Sequence, residues 1–191
     1  MTAFVDGPVI CMGVTGMYVE PLNLQPDDIN VYDIAHHLGN QCRYSGATRE
    51  FYSVGQHVVL CAREMEARDH SAQVVYTTLH HDDAEAFLQD VARPLKEEPY
   101  FGKAYRGAES RAERVIADVL GFDFPYPPEI KEMDTILLAT ERRDLMPPKG
   151  KWRILEGVTP LEAEVVPWSP KKARAAYIQM HDRLVRRLNE E

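Results

Sequence analysis

Cysteine is scarce in this chain of 191 residues, with only Cys11, Cys42 and Cys61 present. They are odd in number, far apart and in no C-x-x-C pair, which disfavours a disulfide framework and a thiolate zinc site, so all three read as buried thiols. Long apolar runs are missing too. None approaches bilayer length, and Met1 to Asp6 lacks a basic region leading into an apolar one, so a soluble cytoplasmic protein with no membrane partner is expected. There is no basic excess. The formal charge of -8 repels a polyanion, which disfavours a nucleic acid polymer as partner and leaves room for a small phosphorylated substrate. There is no internal repeat, no low-complexity segment, and β signal only between residues 4 and 20, where Asp6-Gly7 suggests a turn of a short hairpin.

What is present is helical periodicity with 45% apolar content, enough for one well-buried core and hence one domain over residues 1–191. Asn30 can cap a helix whose apolar positions are Val31, Ile34, Ala35 and Leu38. His36 and His37 lie on it, but adjacent side chains point about 100° apart and rarely chelate one ion, so they read as structural. Between Arg43 and Glu50 the periodicity breaks. Arg43, Arg49, two hydroxyls and Gly46 fall together there, loop chemistry suited to phosphate and equally compatible with a solvated loop. Ser53-x-x-Gln56 has the spacing of a capping box and opens a helix with Val54, Val58, Cys61, Ala62 and Met65 on one face.

The central stretch is Leu79-His80-His81-Asp82-Asp83-Ala84-Glu85, expected to continue the helix that starts near Ser71 and to give way before Pro94 to a loop bearing Asp90, Arg93 and Lys96. A helix with the stripe Tyr100, Ala104, Ala108, Ala112, Val115 and Val119 should follow, stopped by Gly121. Beyond a proline-rich connection, Ile130, Met133, Leu137 and Leu138 describe another helix, with Asp134 on the same side. Glu141 further along reads as a structural ion pair, with Arg142 or Arg143 or with the Arg43 loop. Residues 146–170, with Trp152 and Trp168, are a long connection that fits a lid or a subunit contact. The closing helix, about Lys171 to Asn189, carries His181-Asp182, read as a solvated pair beside Arg183, Arg186 and Arg187.

Inward-facing polar residues therefore recur on separate helices: His57, then His81-Asp82, then Asp134. Burying such groups is costly unless they are paired or bind a metal. Two imidazoles and two carboxylates suit a divalent ion such as Zn, Mn, Co or Fe. Glu85, three residues after Asp82, is placed to act as general acid or base.

His57, His81-Asp82 and Asp134, in that order in a mostly α-helical chain, resemble the H...HD...D signature of HD-domain metal-dependent phosphohydrolases. His81-Asp82-Asp83-Ala84-Glu85, followed by Asp90 and Pro94-Leu95-Lys96, is similar to the HD-x-x-E, D, P-x-K run of the 5'-deoxynucleotidase branch, and Arg43-Tyr44 to its Arg-Trp pair. The segment 43–56 also resembles phage-type members that include a cyanophage dATP triphosphohydrolase. Tyr44 replaces the tryptophan of the first group, and Ala47 stands where the second often has His. The resemblance covers roughly residues 20–145, with 146–191 as a C-terminal loop and helix.

The resemblance implies an all-α HD-domain bundle and a hydrolase of 2'-deoxynucleotide mono- or triphosphates that releases the deoxynucleoside. His57, His81, Asp82 and Asp134 would hold the metal, and Glu85, with Asp82, would serve catalysis. Arg43, with Arg49 near it, would hold phosphate. Asp90 would face the sugar 3'-hydroxyl, Tyr44 the place of a 2'-hydroxyl, and Lys96 a further phosphate contact. A homo-oligomer is also implied. Hydrolysis of a cyclic or alarmone nucleotide, or nucleotide sensing without turnover, are the alternatives, and Glu85 argues against the second.

Overall fold

The computed structural model of the protein describes residues 7–190, so Asp6 of the expected Asp6-Gly7 turn lies outside the described residues. The fold is mostly α, as expected, with one short antiparallel hairpin. Strands β1 (Ile10–Cys11) and β2 (Tyr18–Val19) pair Ile10 with Val19 and Cys11 with Tyr18. The hairpin loop rests on α1 (Val31–Asn40), where the Asp33 carboxylate accepts hydrogen bonds from the backbone of Val14 and Thr15 and from the Thr15 hydroxyl. Asn30 caps α1 as its sequence suggests, accepting from the amides of Tyr32 and Asp33. His37 bridges the hairpin to the chain near the central motif. Its Nε2 accepts from the Gly13 amide at 3.1 Å, leaving Nδ1 to donate to the Ala86 carbonyl at 3.0 Å.

At the centre is α2 (Val54–Ala67), buried from Val54 through Val59 and again at Cys61, Ala62 and Met65. An apolar surface on nearly every side obliges a helix to be surrounded, and α2 packs against α1, α3 (Ala72–Leu79), α7 (Pro128–Leu145) and α8 (Pro170–Glu190). Two glycines allow the closest of these approaches. A Cβ on Gly55 would meet the backbone nitrogen of Gly39 at 3.0 Å.

Several elements differ from the sequence expectations. The helix carrying the central motif breaks: α3 ends at Leu79, residues 80–84 form turns, and a one-turn α4 (Glu85–Leu88) follows. The short α5 (Arg93–Lys96) then leads to α6 (Phe101–Leu120), whose buried residues include Ala108, Ala112, Ile116 and Ala117. Its stripe is rotated from the one expected, since Tyr100 is 87% and Val119 40% exposed. Cys11 is exposed and Cys42 half-buried, so only Cys61 is the buried thiol anticipated. Half of the expected capping box forms. The Ser53 hydroxyl accepts from the Gln56 amide, but the Gln56 side chain instead bonds Val166 O and Trp168 N. The expected pairing of Asp182 with Arg183 does not form, because Arg183 turns to Glu66 on α2 at 2.6 Å.

The connection between α7 and α8 is a strap over the bundle. Thr140 accepts from Leu161 N, Asp144 from Val165 N, and Arg143 donates to the carbonyls of Leu161 and Ala163. Among the described residues no helix is long and apolar enough to cross a membrane.

Candidate metal centre

Two helices and the 80–84 turns bring polar donors close together. His57 on α2 is fully buried, and its Nε2 lies 3.3 Å from Asp134 Oδ1 on α7 and 3.7 Å from Asp82 Oδ2 in the 80–84 turns. His81 Nε2 lies 3.5 Å from Asp82 Oδ1, and the two imidazole rings are 5.4 Å apart. Ligands about 2.1 Å from one ion are separated from each other by roughly 3–3.4 Å; the His57–Asp134 pair falls in that range, and the two separations to Asp82, made through different oxygens, lie just beyond it.

Each imidazole is also oriented by its other nitrogen. His57 Nδ1 donates to Glu141 Oε1 at 2.6 Å, and His81 Nδ1 donates to the Thr78 carbonyl at 2.7 Å. This is the arrangement by which carboxylates and carbonyls aim histidine ligands. It leaves His81 Nε2 buried without a hydrogen-bond partner, and an unpartnered buried acceptor costs about 1–3 kcal/mol. The atom that lacks a partner is the one aimed at the site. A cation there would supply it.

Cys61, one turn after His57, places its Sγ 3.7 Å from His57 Nε2. Donor atoms of His57, Cys61 and His81 all fall within 4.8 Å of one another, so this group could also hold a metal ion. Burial pushes the Cys61 thiol up, whereas a bound metal ion would favour its thiolate, so both the carboxylates and Cys61 stand within reach of the two imidazoles. Although burial and Arg43 push His57 down, Cys61, Glu141 and Asp134 together hold it well above the usual histidine range. Against the opposing effect of burial, the hydrogen bond and charge of His57 hold Asp134 well below the usual carboxylate range.

Glu141 was expected to be a simple ion pair, and its role is larger. Fully buried, it accepts from His57 and from Tyr52 Oη at 2.7 Å through Oε1, while Oε2 accepts from Tyr44 Oη and lies 3.4 Å from Arg43 Nε. It therefore joins α2, α7 and the Arg43 loop. The signal for it is present in the sequence: Glu141 follows Asp134 by two helical turns and so shares its face.

Beside the donors opens a cavity of about 890 Å³, lined among others by Arg43, Tyr44, Asp82, Glu85, Asp90, Lys96 and Asp134. Arg43 Nη1 sits 3.2 Å from Asp82 Oδ2. Glu85 is almost buried, with Oε2 unpartnered and Oε1 3.6 Å from Lys96 Nζ. Burial, together with the charges of Asp82 and Asp90, pushes its carboxyl well above the usual range. Asp90 Oδ2 accepts from the Tyr44 amide at 3.2 Å, and Lys96 pairs with Glu109 at 2.6 Å. Lys131 is tied to Asp134 at the rim. Arg49 is not brought in: its side chain is exposed and outside the cavity lining, and its amide bonds the Leu145 carbonyl.

A buried network supports the 80–84 turns from behind. His80 Nδ1 donates to Asp83 Oδ2 at 2.6 Å, Tyr177 Oη on α8 donates to Asp83 Oδ1 at 2.6 Å, and His80 Nε2 faces His181 Nδ1 at 3.1 Å. Only the His80–Asp83 bond is local; Tyr177 and His181 lie about a hundred residues away, so the sequence carries no sign of the whole network.

No family model matches the sequence. It is 35% identical over 164 residues to the uncharacterized protein YfdR of Escherichia coli (strain K12), an alignment covering 85% of this chain and 86% of that protein. The chain therefore belongs to the family of the uncharacterized protein YfdR.

Proposed function

We propose that the protein is an HD-type, divalent-metal-dependent phosphohydrolase that acts on 2'-deoxynucleotides and releases the deoxynucleoside. The observation that carries this reading is that Asp134 and Asp82 both approach His57 Nε2, with the unpartnered His81 Nε2 facing Asp82 and Glu85, its Oε2 unpartnered, lining the adjoining cavity. Those four residues would hold Zn, Mn, Co or Fe. When bound, the ion supplies Lewis-acid polarisation of a phosphoryl oxygen.

The chain's own residues do the rest. Arg43, kept almost out of solvent between Asp82 and Glu141, offers guanidinium N–H groups to phosphate oxygens. Glu85, whose carboxyl burial and the charges of Asp82 and Asp90 push upward, would exchange a proton with an attacking water or a leaving oxygen. The water oxygen bonds to phosphorus, the bond from phosphorus to the sugar 5'-oxygen breaks, and a proton passes to that oxygen. Asp90 would take the 3'-hydroxyl, Tyr44 would fill the space of a 2'-hydroxyl, and Lys96 would balance Glu85. The reading includes a homo-oligomer.

The test is turnover of ribo- and deoxynucleotide mono-, di- and triphosphates by metal-reconstituted protein, with Glu85→Ala alongside. Deoxy-selective release of the nucleoside, abolished by the substitution, is the expected result, and the co-product distinguishes monophosphate from triphosphate cleavage. Survival of every nucleotide in the presence of bound metal would overturn the reading.

A further inference from the structure

Arg43, Tyr44, Trp152 and Arg142 form one run of contacts, guanidinium to ring, ring to tilted ring, and ring to guanidinium. The Arg43 guanidinium lies 5.4 Å from the Tyr44 ring centre, the Tyr44 and Trp152 rings are 6.0 Å apart at 52°, and the Arg142 guanidinium lies 5.3 Å from the Trp152 ring. One end is the guanidinium that touches Asp82, and the other is anchored in α7. Both aromatic rings line the same cavity as Asp82 and Glu85.

This run is tied to the protein at both ends. Tyr44 is held at its hydroxyl by Glu141 and at its amide by Asp90, in a left-handed backbone conformation with φ 56°. Arg142 also donates to the carbonyls of Lys149 and Gly150, at 2.6 and 3.1 Å, and so secures the loop that presents Trp152. Leu138, Met146 and Ile154 complete this side of the cavity. An aromatic step flanked by apolar side chains, next to a guanidinium-lined phosphate position, fits a planar ring joined to a phosphate by a short polar spacer.

We infer that Trp152, with Tyr44, is the platform on which the substrate's nucleobase stacks, so that the base is recognised chiefly by its ring face and purines are favoured over pyrimidines by stacking area. The inference rests on the nucleotide reading above and names a residue outside the HD-like segment. Stacking tolerates every base because every base has a π-face, and Leu138, Met146 and Ile154 offer no hydrogen bonds to base edges, which leaves Arg153 and Lys131 as the polar groups beside them.

The experiment uses the zinc-loaded full chain with Trp168→Phe, which leaves Trp152 as the single indole. Deoxynucleoside 5'-monophosphates should quench its fluorescence, purines at lower concentration than pyrimidines, and 2-deoxyribose 5-phosphate should bind without quenching. In the parent background, Trp152→Ala should raise KM for nucleotides about 5- to 150-fold, leave turnover of 2-deoxyribose 5-phosphate unchanged, and be largely rescued by Trp152→Phe. Turnover with an unchanged nucleotide KM in Trp152→Ala and no quenching would overturn the platform while sparing the hydrolase. Base-dependent quenching without turnover would do the reverse. Neither quenching nor turnover would overturn both.

Discussion

Replacing Glu141 by Gln preserves the shape of a buried side chain and removes its charge, which separates orientation from packing. The carboxylate accepts from His57, Tyr52 and Tyr44 and lies against Arg43, with no exposed surface of its own. An amide has one accepting oxygen, so its NH2 group must face one of these donors, and Arg43 retains only Asp82. Breaking a buried charge network by removing one partner costs about 3–5 kcal/mol, and the retained shape argues for the lower end. For a chain of this size, about 3 kcal/mol lowers the melting midpoint by roughly 6–12 °C. Losing the group that aims a histidine ligand weakens metal binding about 10- to 100-fold, equivalent to about 1.4–2.7 kcal/mol. Thermal unfolding and zinc competition with a chelating dye would measure both. A Glu141→Gln protein with parental zinc affinity and melting midpoint would refute the claim that Glu141 holds His57 in register.

Asp134→Ala should abolish stoichiometric zinc binding while Cys61→Ala retains it, read by the same competition assay; the opposite pattern would assign the ion to the His57, Cys61 and His81 group. Glu85→Gln should keep the metal and lower turnover about 10²- to 10⁴-fold, measured at saturating nucleotide, and unaltered turnover would remove Glu85 from the chemistry. Tyr177→Phe should cost about 1–3 kcal/mol in a urea titration, because Asp83 loses its donor in a buried setting; a null effect would mean that the network gives no support. Burial and the neighbouring His80 pull His181 down to about 4 from 6.5, so the unfolded chain binds the extra proton more readily, and stability should fall as pH drops from 6.5 towards 4. Screening at this partly exposed side chain reduces the effect to about 1 kcal/mol, visible as a shallower pH dependence of the urea midpoint in His181→Gln.

Local pattern made much of this protein legible. The stripe of α2, the Asn30 cap and the inward positions of His57 and Asp134 follow from spacing alone, since each depends on residues within a few turns. The interruption at residues 80–84 was not legible. That stretch has no glycine or proline, and its turns are supported by Asp83 and His80 bonding each other, Tyr177 and His181. Arg49 misled for a related reason: a guanidinium near a phosphate-like loop carries no signal of which side of the loop it occupies. Gln56 shows local and distant demands competing for one amide, and the strap won.

The support that α8 gives the 80–84 turns also bears on the order of events during synthesis. His57, His81, Asp82 and Asp134 leave the ribosome well before Tyr177 and His181, so a nascent chain holds every donor while the turn between them is still unbraced. Pausing or truncation ahead of Pro170 therefore yields a chain complete in ligands and deficient in geometry. The last helix would then be the keystone of the proposed centre, to which it contributes no donor.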